Sequence, residues 1–250
     1  MSVAVPGHRP ILFDLGTGAR YFGVAWPVDE PFNGTCLLSH LHWDHVQGLP
    51  FFTPLLRPGC GLDLHGPVQD DGAPLGEVFD RMLCPPLFPV GVDDLPGEVR
   101  FHDHGDDEFS IGDVAVMSRL IPHLGPTLGY RLSWGGVSIA YLSDHQQPGV
   151  DVYEITDNVR ELCDGVDLLI HDAQYTRAEF EQKASWGHCT TEFALFVAEE
   201  CGAASLALYH HDPQHHDDLI DDIVATTNRR SGRGVHVFGA REGQTVRLAR

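Results

Sequence analysis

The stretch that decides the fold reads Leu37-Leu38-Ser39-His40-Leu41-His42-Trp43-Asp44-His45-Val46-Gln47-Gly48-Leu49-Pro50. It places three histidines and one aspartate within six residues, directly after an apolar run. Imidazole and carboxylate groups are ligands that zinc, manganese and iron accept. A tight turn after a strand can direct His40 and His42 to one ion, and Asp44 and His45 to a second. The stretch therefore predicts two metal ions; the alternative is a chance cluster in a chain with 16 histidines.

Other apolar runs also end in polar residues of the same chemistry. Leu120-Ile121-Pro122 leads into His123, and the run Ile139-Ala140-Tyr141-Leu142-Ser143 ends at Asp144. A lone histidine after proline is usually an ordinary loop residue, and a lone aspartate at a strand end is usually a cap or turn.

The segment Ile11-Leu12-Phe13-Asp14-Leu15-Gly16-Thr17-Gly18 precedes the histidine motif. Its glycines also suggest a dinucleotide-binding loop. That alternative is weak because Tyr21 stands where the third glycine of Gly-x-Gly-x-x-Gly belongs.

The His-x-His-x-Asp-His block resembles the metal-binding signature of the metallo-β-lactamase superfamily, and the flanking motifs extend the resemblance along nearly the whole chain. The resemblance implies an α/β (α+β) fold, an αββα sandwich of two mixed sheets flanked by helices. It implies that Asp14 braces a turn rather than binding metal. The last ligand is expected at His210, with His211 as the alternative. The implied ligands are His40, His42 and His123 for the first ion, Asp44, His45 and His210 for the second, and Asp144 as the bridge.

Two motifs in the last third are similar to paired motifs of phosphodiesterase members, typified by transfer-RNA 3′-processing nucleases and small cyclic-phosphate diesterases. They are Asp167-Leu168-Leu169-Ile170-His171-Asp172 and Gly187-His188-Cys189-Thr190-Thr191. The first motif usually carries glutamate, and here it carries Asp172. The resemblance implies that His188 works with Asp172 to protonate the leaving oxygen, so the expected catalytic residues are Asp44, Asp172 and His188. Cys189 as a nucleophile is a weaker alternative.

The interval between His123 and Asp144 and the charge balance both favour a small substrate. The transfer-RNA nucleases insert a substrate-grasping arm in that interval, whereas here it is short and contains one strand-like stretch. The chain has 16 basic and 36 acidic residues, a formal net charge of −20. Nucleic-acid binding draws on a basic surface. We expect a small phosphodiester substrate and no bulk nucleic acid.

These observations predict a dinuclear-metal hydrolase, specifically a phosphodiesterase on small or cyclic nucleotide phosphodiesters. Two divalent ions, zinc first and manganese or iron as alternatives, lower the pKa of a bridging water toward about 7 and give a hydroxide nucleophile. The alternatives are a thioesterase or lactonase on the same scaffold, an RNA-processing endonuclease and, last, a non-catalytic metal-binding module. A side-by-side panel of esters discriminates phosphodiesterase activity from thioesterase or lactonase activity.

The size and composition are those of one domain over residues 1–250, without a membrane span or secretory peptide. Six scattered cysteines indicate a reducing cytoplasm. A homodimer is expected only from the resemblance. About ten residues precede the first glycine motif, so either the family's first strand is missing and a sheet edge needs cover, or the chain start is assigned too late.

Strands are predicted at 11–14, 35–39, 114–120, 137–143, 168–172, 206–209 and 235–239. Helices are predicted after the His40 motif and at 152–163, 190–201 and 217–229, with Thr190 as an N-cap. Residues 51–112 are the least informative and could cover the active site. In that stretch Met82, Leu83, Leu87 and Phe88 are expected in the core, with a substrate or dimer surface as the alternative. The run 214–218 is expected to start a helix rather than bind a third metal.

Overall fold

The computed structural model describes residues 1–232 and 234–249. The chain divides into two compact units, Met1–Gly105 and Asp106–Arg250, and each carries one β-sheet. The single-domain assignment over residues 1–250 stays a prediction.

The first unit contains a five-stranded sheet in the order β1-β2-β3-β4-β5. β1 is antiparallel to β2, and the other neighbours are parallel. The strands are β1 (Ser2–Val3), β2 (Ile11–Phe13), β3 (Asn33–Leu37), β4 (Gly61–Pro67) and β5 (Glu98–His104), and the helices are α1 (Gly18–Ala25), α2 (Trp43–Val46) and α3 (Leu75–Met82). β2 (Ile11–Phe13) is wholly buried and entirely apolar, as expected of a strand covered on both faces, and β3 is buried from Gly34 onward.

Aromatic side chains fill the core of the first unit. The ring of Phe32 packs edge-on against that of Phe52, with centroids 5.1 Å apart, and Trp26 packs edge-on against Phe32 at 5.2 Å. Leu62 and Leu64 of β4 are fully buried against this cluster. This packing anchors the carboxyl end of β3, where the histidine motif begins.

The second unit contains a seven-stranded mixed sheet in the order β12-β11-β10-β9-β8-β7-β6. β9 to β12 are parallel, whereas β6 to β9 form an antiparallel meander. The strands are β6 (Asp107–Ile111), β7 (Val114–Leu120), β8 (Leu128–Trp134), β9 (Val137–Leu142), β10 (Leu168–Asp172), β11 (Ser205–Tyr209) and β12 (His236–Gly239), and the helices are α4 (Asp157–Cys163), α5 (Arg177–Lys183), α6 (Thr191–Glu200) and α7 (Asp217–Arg230).

Helix α6 supplies much of the second unit's core. Phe193, Ala194, Val197 and Ala198 are fully buried, and they pack with the apolar residues of β9, β10 and β11. A helix this apolar needs a defined start. The Thr190 side chain provides it, because its hydroxyl oxygen accepts a hydrogen bond from Phe193 N at 3.1 Å. The predicted N-cap at Thr190 is confirmed.

The fold class predicted from the sequence, two mixed sheets flanked by helices, is confirmed, but several details differ. A two-residue strand, β1, pairs with β2, so the expectation of a missing first strand is wrong. The interval 123–144 holds two strands, β8 and β9, rather than one. The helix predicted from 152 begins at Asp157, because the Thr156 side chain accepts a hydrogen bond from Val159 N at 3.3 Å and caps it there.

Residues 51–112 contain regular structure that the sequence did not indicate, namely α3, β4, β5 and β6. Of the four apolar residues expected in the core there, Leu83 is buried, Met82 and Phe88 pack against the core, and Leu87 is 72% exposed. The prediction is therefore wrong for Leu87. Among the described residues, no helix has the length and apolar character that a membrane span requires.

Candidate metal-binding and catalytic clusters

Asp14 organises the histidine motif of the first unit. It follows β2 with a φ of 57°, and its carboxylate accepts hydrogen bonds from Ser39 N (2.6 Å) and Ser39 Oγ (3.0 Å). The same carboxylate lies 2.8 Å from His45 Nδ1. Because a carboxylate only accepts, Nδ1 of His45 carries a proton, and the lone pair of the neutral ring is on Nε2. Asp14 therefore braces the turn and orients His45, as the resemblance implied.

Nε2 of His45 lies 3.2 Å from Asp44 Oδ2, which brings together the two residues that the motif assigns to one ion. A glycine makes this turn possible. A β-carbon on Gly16 would lie 2.3 Å from the Asp44 carbonyl oxygen, so only glycine allows the two loops to approach this closely.

His40 and His42 form a second pair in the same turn. Nε2 of His40 and Nδ1 of His42 are 2.9 Å apart, and Nδ1 of His40 lies 3.0 Å from Ser39 Oγ. His40 is buried and His42 is exposed. Two imidazole nitrogens that face each other at this distance suit a shared cation. The first unit thus places its four predicted ligands in two adjacent pairs.

Asp144 is the centre of a cluster in the second unit. It follows β9, is 2% exposed, and has Oδ1 at 3.2 Å from His210 Nε2 and Oδ2 at 3.6 Å from His123 Nε2. His188 Nδ1 lies 3.8 Å from Asp144 Oδ2. Asp144, His188 and His210 each offer a ligand atom, and these atoms lie within 4.8 Å of one another.

The hydrogen bond at the far nitrogen of His123 fits a metal ligand. Nδ1 of His123 donates to the Gly187 carbonyl oxygen at 2.7 Å, so the lone pair of the neutral ring is on Nε2. Metal-binding histidines typically donate their second nitrogen to a carboxylate or carbonyl in this way. His45 and His123 both show the pattern. The donor set therefore fits divalent transition metals.

The last third of the chain places His210 and His211 differently. His210, which follows β11 with a φ of 54°, directs Nε2 to Asp144 and Nδ1 to the Gln174 side-chain amide at 3.2 Å. His211 Nε2 instead lies 3.3 Å from the Ala240 carbonyl oxygen. The nearby His216 caps α7 by accepting a hydrogen bond from Leu219 N at 3.2 Å, so the run 214–218 starts a helix as predicted.

Asp172 and His188 form a hydrogen-bonded pair. Asp172 is fully buried, and its Oδ2 lies 2.8 Å from His188 Nδ1. The carboxylate also accepts hydrogen bonds from Gln174 N (2.9 Å) and His145 N (3.2 Å). Three donors fix the position of the carboxylate. Asp172 therefore holds a proton on Nδ1 of His188 and orients the ring.

His145 and His171 support this unit, and the sequence reading missed both. His171 Nδ1 must donate to the Asp172 carbonyl oxygen at 2.7 Å, so its Nε2 accepts from His145 Nδ1 at 2.9 Å. Burial lowers the pKa of both imidazoles, which keeps them neutral. Cys189 donates from Sγ to the same carbonyl at 3.1 Å, and burial raises its pKa well above the usual range. A buried, protonated thiol is a poor nucleophile, which argues against the cysteine alternative.

Gln146 and Gln147 were also missed, and they fix the loop that carries His188. Gln146 Oε1 accepts from Gly187 N at 2.7 Å, and Gln147 Oε1 accepts from Thr190 Oγ1 at 2.9 Å. No motif marks these residues. The only feature of the sequence that points to them is their position two and three residues after Asp144.

Comparisons with known proteins agree with this fold. The β-lactamase superfamily domain matches residues 9–211, so the chain belongs to the metallo-β-lactamase superfamily. A protein named ribonuclease Z from Synechococcus sp. (strain CC9311) is 26% identical over 263 residues, covering 86% of this chain and 82% of the relative.

Two solved structures share the fold at low identity. Zn²⁺-bound PqqB from Methylobacterium extorquens has a TM-score of 0.72 at 20% identity, covering 99% of this chain and 86% of that one. A diphosphatase of the PhnP family has a TM-score of 0.68 at 20% identity, covering 99% and 83% of the two chains. The chain is thus a metallo-β-lactamase-fold protein with histidine and aspartate clusters suited to metal.

Proposed function

We propose that this protein is a metal-dependent phosphodiesterase that hydrolyses small phosphodiesters, including cyclic nucleotides. The observation that carries the proposal is the Asp172–His188 unit, a buried carboxylate 2.8 Å from an imidazole next to the Asp144 cluster. An imidazole that is oriented by a carboxylate and keeps one nitrogen for the substrate is a general acid. Phosphodiester cleavage needs such an acid because an alkoxide is a poor leaving group.

We propose that the chain holds two divalent ions, zinc first and manganese or iron as alternatives, through the residues that the family resemblance implies. Such ions activate a water molecule and neutralise charge that develops on a phosphoryl group. The proposed ligands are His40, His42 and His123 for one ion, Asp44, His45 and His210 for the other, and Asp144 shared by both.

The residues of the chain then have separate roles. His188, protonated on both nitrogens, donates a proton from Nε2 to the leaving oxygen as the phosphorus–oxygen bond breaks. Asp172 stabilises the imidazolium before this transfer and fixes the tautomer afterwards. Because Asp172 already accepts two backbone N–H groups, its orientation does not depend on the protonation state of His188.

The net charge supports a small substrate, and the names of the relatives support phosphate chemistry. A chain with a net charge of −20 repels polyanions, whereas a metal cluster can still bind one phosphate group. One relative is named ribonuclease Z and a structural neighbour is described as a diphosphatase, and both names refer to phosphate chemistry. A cytoplasmic location and a homodimeric state remain part of the proposal, the former consistent with six free cysteines in the described residues.

A series of phosphodiesters that differ in leaving-group pKa tests the role of His188. H188Q and D172N should reduce kcat by about 10²–10⁴ for alkyl leaving groups, and much less for p-nitrophenol, which needs no protonation. D222N, a change of an exposed aspartate on α7, is the matched control.

Equal losses for all leaving groups would contradict the general-acid role. Faster turnover of thioesters or lactones than of any phosphodiester would favour the carbonyl-ester alternative instead.

A further inference from the structure

Gln146 connects two segments of the second unit that each carry a site histidine. Its backbone N–H donates to the Pro122 carbonyl oxygen at 2.7 Å, directly before His123. Its side-chain Oε1 accepts a hydrogen bond from Gly187 N at 2.7 Å, directly before His188. One residue therefore holds the chain next to both histidines.

The contacts of the Gln146 side-chain amide fix its orientation. Oε1 faces an N–H group, whereas Nε2 donates to the carbonyl oxygens of Gln147 at 2.6 Å and Ala184 at 2.9 Å. The His188 carbonyl oxygen lies near the same nitrogen at 3.4 Å. An amide whose acceptor and donors are all engaged cannot rotate without losing hydrogen bonds. The loop 184–188 is thus attached to one side chain at Ala184 and at Gly187.

Gly187 connects this amide to the ring of His123. Its N–H is held by Gln146, while its carbonyl oxygen accepts a hydrogen bond from His123 Nδ1 at 2.7 Å. The contact is close, because a β-carbon on Gly187 would overlap the His123 ring. Since Gln146 also holds the Pro122 carbonyl oxygen, it fixes both partners of the His123–Gly187 hydrogen bond.

We propose that Gln146 is a positioning residue for His123 and His188 together, an inference that rests on the proposed function. His123 is a proposed ligand of the first ion, and His188 is the proposed general acid. The Gln146 amide is uncharged and its hydrogen-bonding atoms are occupied within the protein, so it acts through these two imidazoles. A displacement of about 1 Å at a reacting group can cost about 10²-fold in rate. One glutamine thereby links metal affinity to proton donation.

Zinc affinity and leaving-group dependence test the two parts of this role separately. Metal-stripped wild type, Q146M and the milder Q146N are titrated with Zn²⁺ against a chromophoric chelator, and H123A identifies the ion that depends on His123. kcat is then compared for phosphodiesters with alkyl and with p-nitrophenol leaving groups.

Two controls separate positioning from a general loss of stability. Q182M carries the same change as Q146M at an exposed glutamine of α5. T156A removes an exposed helix cap and lowers stability at a distance in sequence from the loop 184–188. Urea denaturation measures the stability of every variant.

We expect Q146M to weaken the zinc ion that depends on His123 by about tenfold or more, and Q146N to weaken it less. In Q146M, kcat for alkyl leaving groups should fall by about tenfold or more relative to kcat for p-nitrophenol, because a displaced His188 protonates the leaving oxygen poorly. Q182M and T156A should match wild type in both measurements.

If Q146M, or Q146N where Q146M does not fold, matches wild type in zinc affinity and in leaving-group dependence, Gln146 is only a structural residue and the proposal is wrong. A change in one measurement alone would contradict the joint role. Wild type that binds zinc but cleaves no phosphodiester would contradict the proposed function instead, and the zinc comparison would then decide whether Gln146 positions His123.

Discussion

At the scale of residues, the proposed chemistry depends on side chains that fix the proton positions of other side chains. Asp14 does so for His45, the Gly187 carbonyl for His123, and Asp172 for His188. Each partner fixes one imidazole nitrogen as a hydrogen-bond donor and so orients the ring. The histidines could be predicted from the sequence. The hydrogen bond to the Gly187 carbonyl could not, because every residue has a backbone carbonyl and the residue type does not indicate which one is used.

A substitution at Gly187 tests whether its contact with His123 fixes the position of that ring. Its φ is +96°, and a β-carbon there would lie 2.3 Å from His123 Cε1. G187A should therefore cost about 1–3 kcal/mol of folding free energy and displace His123. Urea denaturation and zinc affinity measure the two effects.

G18A is the control, because a β-carbon at Gly18 meets nothing within 4 Å. If G187A matches wild type in both stability and zinc affinity, the close contact with His123 does not constrain the site.

At the scale of elements, capping threonines set where the second unit's helices begin. Thr190 caps α6 and also donates to Gln147 Oε1 at 2.9 Å, and it is buried. Thr156 caps α4 from an exposed position. Both threonines accept a hydrogen bond from a backbone N–H, but Thr190 is buried whereas Thr156 is exposed.

T190A should destabilise the protein by about 2 kcal/mol or more, because it removes a cap and leaves the buried Gln147 oxygen with one fewer donor. T156A should cost about 1 kcal/mol, the ordinary value of an exposed cap. T190S keeps the hydroxyl and should retain most of the stability. Equal losses for T190A and T156A in chemical denaturation would show that the Gln147 contact contributes nothing.

The elements that the sequence predicted well are those whose pattern is local. The strands β7 and β10 were predicted at their exact bounds, because each begins with a short apolar run, 114–117 in β7 and 168–170 in β10. β4 and β5 were missed, because their outward faces carry charged and histidine side chains, such as Asp63 and His102, that hide the strand pattern. α3 was missed because it follows proline and is only eight residues long.

At the scale of the whole molecule, the net charge separates this chain from proteins that bind long nucleic acids. It has 36 acidic and 16 basic residues. We expect transfer RNA to bind no more tightly than about 10⁻⁴ M at physiological salt, the weak end of non-specific binding. Fluorescence anisotropy with labelled transfer RNA measures this, and a dissociation constant in the micromolar range would contradict the choice of a small substrate.

Metal-dependent phosphodiesterase activity can be tested most directly by measuring turnover. Metal-stripped protein is reconstituted with zinc or manganese and assayed on bis-p-nitrophenyl phosphate and on 2′,3′- and 3′,5′-cyclic nucleotides. D144A, shown to be folded by circular dichroism, is the control. We expect hydrolysis that requires added metal and is abolished in D144A. Wild-type protein that holds two metal ions per chain but cleaves none of these phosphodiesters would contradict it.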